Sequence, residues 1–212
     1  MIRVLIADDH AIVREGLANV LGSAGGIQVA AQAASGAEAL QRIRDTAVDV
    51  VLLDMAMPGM NGIETLKQIK AERDDLPVLI LSMHPETQYA VRCIKSGAAG
   101  YLTKACEKAV LLEAVRRAAA GKQYLTPAVG DCLLQEIQQP GRGGEPHRLL
   151  SDREFDVFKQ IAEGVPLAEM AKQMNLSPKT VSTYRARILE KMGLASNAEL
   201  MRYAFDRGLV EP

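Results

Sequence analysis

Short apolar segments alternate with longer amphipathic segments through the first 120 or so residues of the chain. Five short segments are predicted to be strands: residues 2–7, 27–32, 49–53, 77–81 and 99–102. The third and fourth are apolar on both faces, which is typical of strands covered by helices on each side of a parallel sheet. Apolar residues recur at helical spacing in residues 11–21, 37–44, 63–71, 87–96 and 108–120. The pattern predicts a doubly wound, five-stranded parallel α/β domain over residues 1–121.

A stretch rich in glycine and proline ends this alternation. Residues 138–146 carry no apolar periodicity, so we assign residues 122–147 to a linker. Within it, Thr126 and Pro127 are typical of a helix start and predict one further helix over residues 126–137.

The remainder, residues 148–212, has helical spacing only. Helix-capping residues precede three of its apolar patterns, at Ser151, Ser177 and Ser196. The region is therefore predicted to be an all-α module of four helices.

Composition narrows the classes of protein that the chain can be. It has 48% hydrophobic and 24% charged residues with a formal net charge of −1, which is typical of globular domains. The cysteines Cys93, Cys106 and Cys132 form no Cys-x-x-Cys pair and are interpreted as reduced thiols. The first residues lack a signal-peptide pattern, and no apolar run reaches the roughly 20 residues that span a bilayer. We expect a cytoplasmic protein without a membrane partner.

Acidic residues follow two of the predicted strands, at the edge of the sheet where parallel strands end. Asp8 and Asp9 follow the first strand, and Asp54 follows the third. Neighbouring carboxylates repel each other and offer the oxygen ligands that Mg²⁺ prefers, so we expect Mg²⁺ here. Ser82 and Lys104 follow the fourth and fifth strands. A hydroxyl and an ammonium beside a metal-bound carboxylate form a receptacle for a phosphoryl group.

These residues lie in motifs that resemble the receiver domain of bacterial response regulators, over roughly residues 1–121. The motifs are Asp8-Asp9-His10, Leu53-Asp54-Met55-Ala56-Met57-Pro58-Gly59, Ser82 and Gly100-Tyr101-Leu102-Thr103-Lys104. The resemblance implies a flavodoxin-like fold in which Asp54 is the phosphoacceptor. It also implies the roles of the neighbours: Asp8, Asp9 and the backbone carbonyl of Ala56 help to hold Mg²⁺, Ser82 and Lys104 contact the phosphoryl group, and Tyr101 is an aromatic switch.

Several positions near the site keep two interpretations. His10 is a helix-start residue or a ligand, and Tyr101 is a switch or an ordinary half-buried strand residue. Many receivers have a cis peptide between this lysine and a proline. Here Ala105 follows Lys104, and a cis peptide before a non-proline residue costs about 2.5–4 kcal/mol.

Two other classes of protein share part of this pattern. A flavin-binding domain has the same sheet, but Asp8 and Asp9 would repel its phosphate unless a metal were present. A phosphatase with an aspartyl-phosphate intermediate needs a second acid two positions after Asp54, where Ala56 stands. We therefore expect a regulator and not an enzyme.

Residues 177–192 are predicted to form an amphipathic helix with a basic character. On a helical wheel, Val181, Tyr184, Ile188 and Met192 share the packing side. Short polar side chains flanked by cations suit the major groove of DNA, although a solvated helix face has the same pattern. The predicted DNA-binding residues are Lys179, Ser182, Thr183, Tyr184, Arg185, Ala186, Arg187 and Lys191. Ser182, Thr183 and Ala186 are expected to contact base edges, and the cations are expected to contact phosphates.

The C-terminal region resembles the LuxR-type helix-turn-helix domain over most of residues 148–210. The matching segments are Leu150-Ser151-Asp152-Arg153-Glu154, Ile161-Ala162-Glu163-Gly164, Glu169-Met170-Ala171, Leu176-Ser177-Pro178-Lys179-Thr180-Val181 and Ala195-Ser196-Asn197-Ala198-Glu199-Leu200. Joined to a receiver, it is similar to the NarL/FixJ response regulators. Many relatives have a lysine at the position of Ser182 and a histidine at that of Tyr184, so base preference is not carried over.

The resemblance implies regulation of transcription through a two-component phosphorelay. Its expected partners are a sensor histidine kinase, double-stranded promoter DNA and a second copy of the chain on activation, and it allows RNA polymerase as a further partner. In the last predicted helix, residues 197–207, the residues Leu200, Tyr203 and Ala204 repeat at helical spacing. They are interpreted either as a dimer surface or as core.

Overall fold

The computed structural model describes residues 1–83, 86–138 and 145–210. The chain divides into two compact units, Met1–Ile137 and Gln138–Pro212. The predicted linker falls partly on residues 139–144, which lie outside the described residues.

The first unit is built on a five-stranded sheet. Its strands are β1 (Ile2–Ala7), β2 (Ile27–Ala33), β3 (Val50–Asp54), β4 (Val78–Ser82) and β5 (Gly100–Thr103). They lie in the order β2-β1-β3-β4-β5 and all pair in parallel. Every residue of β3 and β4 is buried, as their continuous apolar sequence predicts. The predicted doubly wound α/β fold is confirmed.

Helices connect the strands and cover the sheet. They are α1 (Ala11–Gly22), α2 (Gly36–Asp45), α3 (Gly62–Glu72), α4 (Glu86–Lys95) and α5 (Lys108–Ala119), and α6 (Pro127–Gln138) follows. Leu111 and Val115 on α5 pack with Ile6, Leu52 and Leu81 of the sheet in one apolar cluster. This cluster joins α5 to the strands of the sheet.

The start of α2 differs in detail from a capping box, the pattern that Ser35 and Glu38 have in the sequence. Oγ of Ser35 accepts a hydrogen bond from the backbone N–H of Glu38, as expected. The Glu38 carboxylate, however, accepts from the N–H of Ala34 at 2.8 Å. Glu199 likewise accepts from Ala195 at the start of the last helix. In both helices the glutamate accepts from the residue before the N-cap and not from the N-cap itself. This difference depends on the conformation of the backbone that precedes the cap.

The second unit is helical. A 3-10 turn (Pro146–Leu149) precedes α7 (Asp152–Ala162), α8 (Leu167–Gln173), α9 (Pro178–Met192) and α10 (Asn197–Asp206). A complete capping box, made by Ser151 and Glu154, opens α7. Phe155, Phe158 and Leu200 are buried in the core of the unit. Among the described residues of the chain, no helix is both long enough and apolar enough to cross a bilayer.

Leu200 and Ala204 belong to this core. Both have no exposed surface, and α10 packs against α7. Tyr203 is half-buried, and its hydroxyl lies 2.8 Å from Nδ1 of His147. The helical spacing of Leu200, Tyr203 and Ala204 allowed either a dimer surface or a core, and the structure supports core packing.

A tight turn joins α8 to α9. Asn175 adopts a left-handed conformation with φ of 53°, which asparagine tolerates better than most residues. The backbone N–H of Leu176 donates to the carbonyl of Ala171, and that of Asn175 donates to Lys172. This pattern is a Schellman motif, which ends α8 and turns the chain directly into α9. Ser177 then caps α9 by accepting from Thr180 N–H at 3.0 Å.

Candidate functional site

Strand register brings the acidic residues of the first unit together. Ala7 pairs with Leu53 across β1 and β3, so Asp8 and Asp54 leave neighbouring strands side by side. Both residues are 1% exposed. Ser82 ends β4, and its backbone carbonyl accepts a 2.7 Å hydrogen bond from the N–H of Lys104. The residues predicted from four separate strands therefore share one edge of the sheet.

Lys104 connects two of the carboxylates. Its Nζ lies 2.7 Å from Oδ2 of Asp8 and 2.9 Å from Oδ1 of Asp54, and only 11% of the side chain is exposed. One largely buried ammonium thus faces two buried carboxylates, so one negative charge remains uncompensated when both carboxylates are ionised. Asp9, whose side chain is 27% exposed, adds a third acid toward the solvent.

Burial and pairing have opposite effects on the acidity of this pair. Burial raises the pKa of Asp54 above its usual value, and this effect exceeds the lowering caused by the hydrogen bond from Lys104. For Lys104, burial acts to lower the pKa, but hydrogen bonds to Asp8 and Asp54 outweigh it and raise the pKa. Lys104 therefore stays charged, while ionised Asp54 is destabilised by its surroundings.

The acid site has the chemistry and spacing of a cation site. Potential ligand atoms from Asp8, Asp9, His10 and Asp54 all lie within 4.8 Å of one another. Oδ2 of Asp54 is buried, and the described residues offer it no hydrogen-bond partner. A buried carboxylate oxygen in this state is costly unless a cation or a donor reaches it. The residues present therefore fit a divalent cation with oxygen ligands.

Two residues that the sequence did not single out position the acidic loops. Nη1 of Arg14 on α1 donates a 2.6 Å hydrogen bond to the backbone carbonyl of Asp8. Gly62 begins α3 against the peptide that follows Asp54, where a Cβ would lie 2.6 Å from the Asp54 carbonyl oxygen. Only glycine allows this approach. The glycine before a helical pattern was a visible signal for Gly62, whereas nothing in the sequence marks Arg14.

The remaining predicted receiver residues flank this centre. The backbone of Ala56 lies beside the Asp54 carboxylate and acts to lower its pKa, although the effect of burial is larger. Tyr101, on β5, has no exposed surface, so it is more deeply buried than an ordinary half-buried strand residue. The peptide between Lys104 and Ala105 is trans.

In the second unit, α9 has the predicted two faces. Val181, Ile188 and Met192 are buried, and Tyr184 is partly buried. The opposite face is exposed; its residues are Lys179, Ser182, Thr183, Ala186, Arg187 and Glu190. Oγ1 of Thr183 donates to the carbonyl of Lys179 at 3.0 Å, so its hydroxyl must rotate to reach another acceptor.

Two of the predicted cationic residues have partners within the unit. Nε of Arg185 donates a 2.6 Å hydrogen bond to Oδ1 of Asn197. Nζ of Lys191 lies 2.6 Å from Oε2 of Glu154, which is 4% exposed. Lys179 and Arg187 form no ion pair with any of the described residues. The structure thus separates the exposed pair, Lys179 and Arg187, from two cations that hold α9 to its neighbours.

Comparisons with known proteins agree with both predicted domains. Residues 4–116 match the family model of the response regulator receiver domain, and residues 148–204 match that of bacterial regulatory proteins of the luxR family. The response regulator GacA of Pseudomonas viridiflava is 37% identical over 211 residues, covering 100% of this chain and 99% of GacA. The response regulator UvrY of Escherichia coli K12 is 35% identical, covering 99% of this chain and 96% of UvrY.

A solved structure extends the likeness to a DNA complex. RcsB from Salmonella enterica serovar Typhimurium, bound to promoter P1flhDC in the presence of the phosphomimetic BeF3-, has a TM-score of 0.68 and 26% identity. The match covers 95% of this chain and 97% of that one. The chain belongs to the response regulators, with a receiver domain followed by a LuxR-family DNA-binding domain, and is a transcriptional regulator of that family.

Proposed function

We propose that a sensor histidine kinase phosphorylates Asp54 and that phosphorylation controls the binding of α9 to promoter DNA. The observation that carries this proposal is the position of Lys104, whose ammonium lies between Asp8 and Asp54 at the carboxyl end of the sheet. Since Lys104 holds Oδ1 of Asp54, the unpartnered Oδ2 is left open to a cation beside the reacting group.

In this proposal Asp54 is the nucleophile of a phosphoryl transfer. One of its carboxylate oxygens bonds to phosphorus as the bond between phosphorus and the kinase histidine breaks. Asp8, Asp9, Asp54 and the backbone carbonyl of Ala56 would hold Mg²⁺, which neutralises charge on the phosphoryl oxygens. Lys104 orients a second oxygen, and the Ser82 hydroxyl donates a hydrogen bond to a third.

Tyr101 is the proposed reporter of this change. When the Ser82 hydroxyl turns toward a phosphoryl oxygen, it leaves room between the ends of β4 and β5. The buried ring of Tyr101 on β5 moves into that room. A two-state population then needs to shift by only a few kcal/mol to alter the output.

For DNA, we propose that α9 enters the major groove of double-stranded promoter DNA. Support comes from its exposed small residues, Ser182, Thr183 and Ala186, and from the exposed cations Lys179 and Arg187 at their flanks. Short side chains let the helix approach base edges, while the cations bind phosphates.

The active form is proposed to be a homodimer that pairs through α10. Leu200 and Ala204 face the core, so the dimer surface is the opposite face, where Met201 is 38% and Phe205 54% exposed. Because promoter DNA is its target, we place the protein in the cytoplasm, where RNA polymerase is a further candidate partner.

Phosphorylation with a small phosphodonor tests the central step. With acetyl phosphate and Mg²⁺, the native chain should gain one acid-labile phosphoryl group and bind promoter DNA more tightly. Asp54→Asn should gain none, whereas the control Asp131→Asn, at an exposed position on α6, should behave like the native chain. Full labelling of Asp54→Asn would refute the assignment.

A further inference from the structure

The side chain of His10 lies against the acid site. His10 is the N-cap residue of α1, yet its side chain forms no capping hydrogen bond with the helix. Ser, Thr, Asp and Asn are preferred at this position because their side chains satisfy the free backbone N–H groups. A helix-start role therefore does not account for the placement of the imidazole.

The imidazole is oriented toward the acids instead. Nδ1 of His10 lies 2.9 Å from Oδ1 of Asp9 and 3.5 Å from Oδ1 of Asp8. Adjacent ligands of an octahedral ion with bonds of about 2.1 Å are about 3 Å apart, so the first spacing equals that of two neighbouring ligands. The His10 side chain is 67% exposed, which places the nitrogen on the solvent side of the cluster.

A second observation points to a cation at this position. Oδ2 of Asp54 is buried without a hydrogen-bond partner among the described residues, and Asp54 contributes to the same 4.8 Å group of ligand atoms as His10. Lys104 binds the other oxygen of Asp54 and so does not satisfy this one. The candidate cation site is therefore formed by the carboxylates of Asp8, Asp9 and Asp54, and Nδ1 of His10 lies on its solvent side.

We propose that His10 is a further protein ligand of the cation site and shifts the preference of the site from Mg²⁺ toward first-row transition ions such as Mn²⁺ and Co²⁺. Mg²⁺ favours oxygen ligands and gains little from an imidazole, whereas transition ions bind imidazole nitrogen well. The inference rests on the metal site of the proposed function. It adds one residue and one class of ion to that site.

Binding measurements on the unphosphorylated full chain test this ligand. By calorimetry, His10→Ala should weaken Co²⁺ and Mn²⁺ binding by at least about tenfold and change Mg²⁺ binding by less than about twofold. Spin-echo spectroscopy of bound Mn²⁺ should show modulation from a directly bound ¹⁴N nucleus in the native chain and none in His10→Ala.

The other two histidines provide matched controls. His147→Asn, in the second unit, and His84→Asn, outside the described residues, should both keep the nitrogen signal. Equal ion affinities for the native chain and His10→Ala, or a signal lost only in His84→Asn, would overturn the role of His10 while leaving the carboxylate site intact. If no divalent ion bound the native chain, the metal site of the proposed function would fail together with this ligand.

Discussion

Nζ of Lys191 lies 2.6 Å from Oε2 of Glu154, and this ion pair connects the C-terminal end of α9 to the N-terminus of α7. The same carboxylate accepts the backbone N–H of Ser151 at 2.7 Å, so one acid serves both a helix cap and an ion pair. Burial acts to raise the pKa of Glu154, but the hydrogen bonds from Lys191 and Ser151 outweigh it and hold the pKa below its usual value. The cation at this end of α9 therefore stabilises the contact between α9 and α7.

We predict that Lys191→Met lowers the stability of the second unit and that Lys179→Ala lowers the salt dependence of DNA binding. Lys191→Met should lower the free energy of unfolding of the second unit by about 0.5–1 kcal/mol, since the lysine is partly exposed and screened by solvent. It should leave the salt dependence of DNA binding unchanged. Lys179→Ala should lower the slope of log K against log salt by about one unit and leave stability unchanged. Equal loss of slope in both variants would show that Lys191 also binds phosphate.

Thr183 is predicted to influence which DNA sequence is bound. Thr183→Ala removes a hydroxyl and a methyl group from the exposed face of α9, so sequences selected from random duplexes should differ from those of the native chain. Arg187→Ala is the control, because a phosphate contact should weaken all sequences similarly. Unchanged affinity and selection in Thr183→Ala would mean that this face does not meet the bases.

Gly62 and Gly16 form a matched pair of glycines. Gly62→Ala would place a Cβ 2.6 Å from the Asp54 carbonyl oxygen and 2.7 Å from Cα of Met55. We expect it to lower the free energy of unfolding by about 1–3 kcal/mol and to slow phosphorylation of Asp54. Gly16→Ala, inside α1 with no atom within 4 Å of the new Cβ, should raise stability by about 0.5–1 kcal/mol and leave phosphorylation unchanged. Chemical denaturation and phosphoryl uptake measure both; a harmless Gly62→Ala would contradict the close approach.

Stability should depend on pH in opposite ways at Asp54 and Asp49. The folded pKa of Asp54 is raised, so ionising it costs stability as the pH rises from its unfolded pKa through its folded pKa. Asp54→Asn removes this cost and should therefore unfold at higher denaturant concentration than the native chain at pH 7. The advantage should shrink below the unfolded pKa of about 3.9.

Asp49 provides the contrasting case. Hydrogen bonds from Arg3 lower its pKa to about 2, so it contributes stability above its unfolded pKa, and that stability is lost as the pH falls through about 2. Asp49→Asn should destabilise the chain at pH 7 and have little effect in strong acid. A loss of stability at pH 7 in Asp54→Asn would contradict the direction assigned to its pKa.

The exposed face of α10 gives a prediction about assembly. Phe205→Glu should lower the dimer population of the phosphorylated protein because it places a charge in the proposed apolar contact. Sedimentation with and without phosphodonor measures this, and Arg202→Glu, at a highly exposed position on the same helix, is the control. Dimers of normal stability in Phe205→Glu would move the interface elsewhere.

The sequence was sufficient to predict the sheet and the edge at which its polar residues meet. The two fully apolar strands identified a parallel sheet, and side chains directly after parallel strands necessarily project at one edge. The helix starts were equally readable, because Ser151 and Ser177 cap with their own side chains. Such caps are predictable because the serine and the backbone N–H that it accepts from lie within three residues of each other.

Properties that depend on distant partners were not predictable. The charges of Arg185 and Lys191 predict phosphate contacts, and nothing in the local sequence shows that Asn197 and Glu154 also bind them in the folded unit. Leu200 had the spacing of either a core or a dimer residue, and only the packing of α10 on α7 separates the two. Arg14 was missed because its acceptor is a backbone carbonyl, which carries no signature in the side-chain sequence.

The fully buried strands β3 and β4 have a consequence for how this protein can change over time. Asp54 pairs in register with Leu81, and Ser82 with Thr103, so the backbone ladder sets the spacing of the reactive groups. The apolar residues beneath supply the folding energy, and the polar side chains at the edge supply the chemistry. Single substitutions at the edge can therefore change the reactivity without loss of the fold. During evolution, the response to a signal can vary while the architecture is kept.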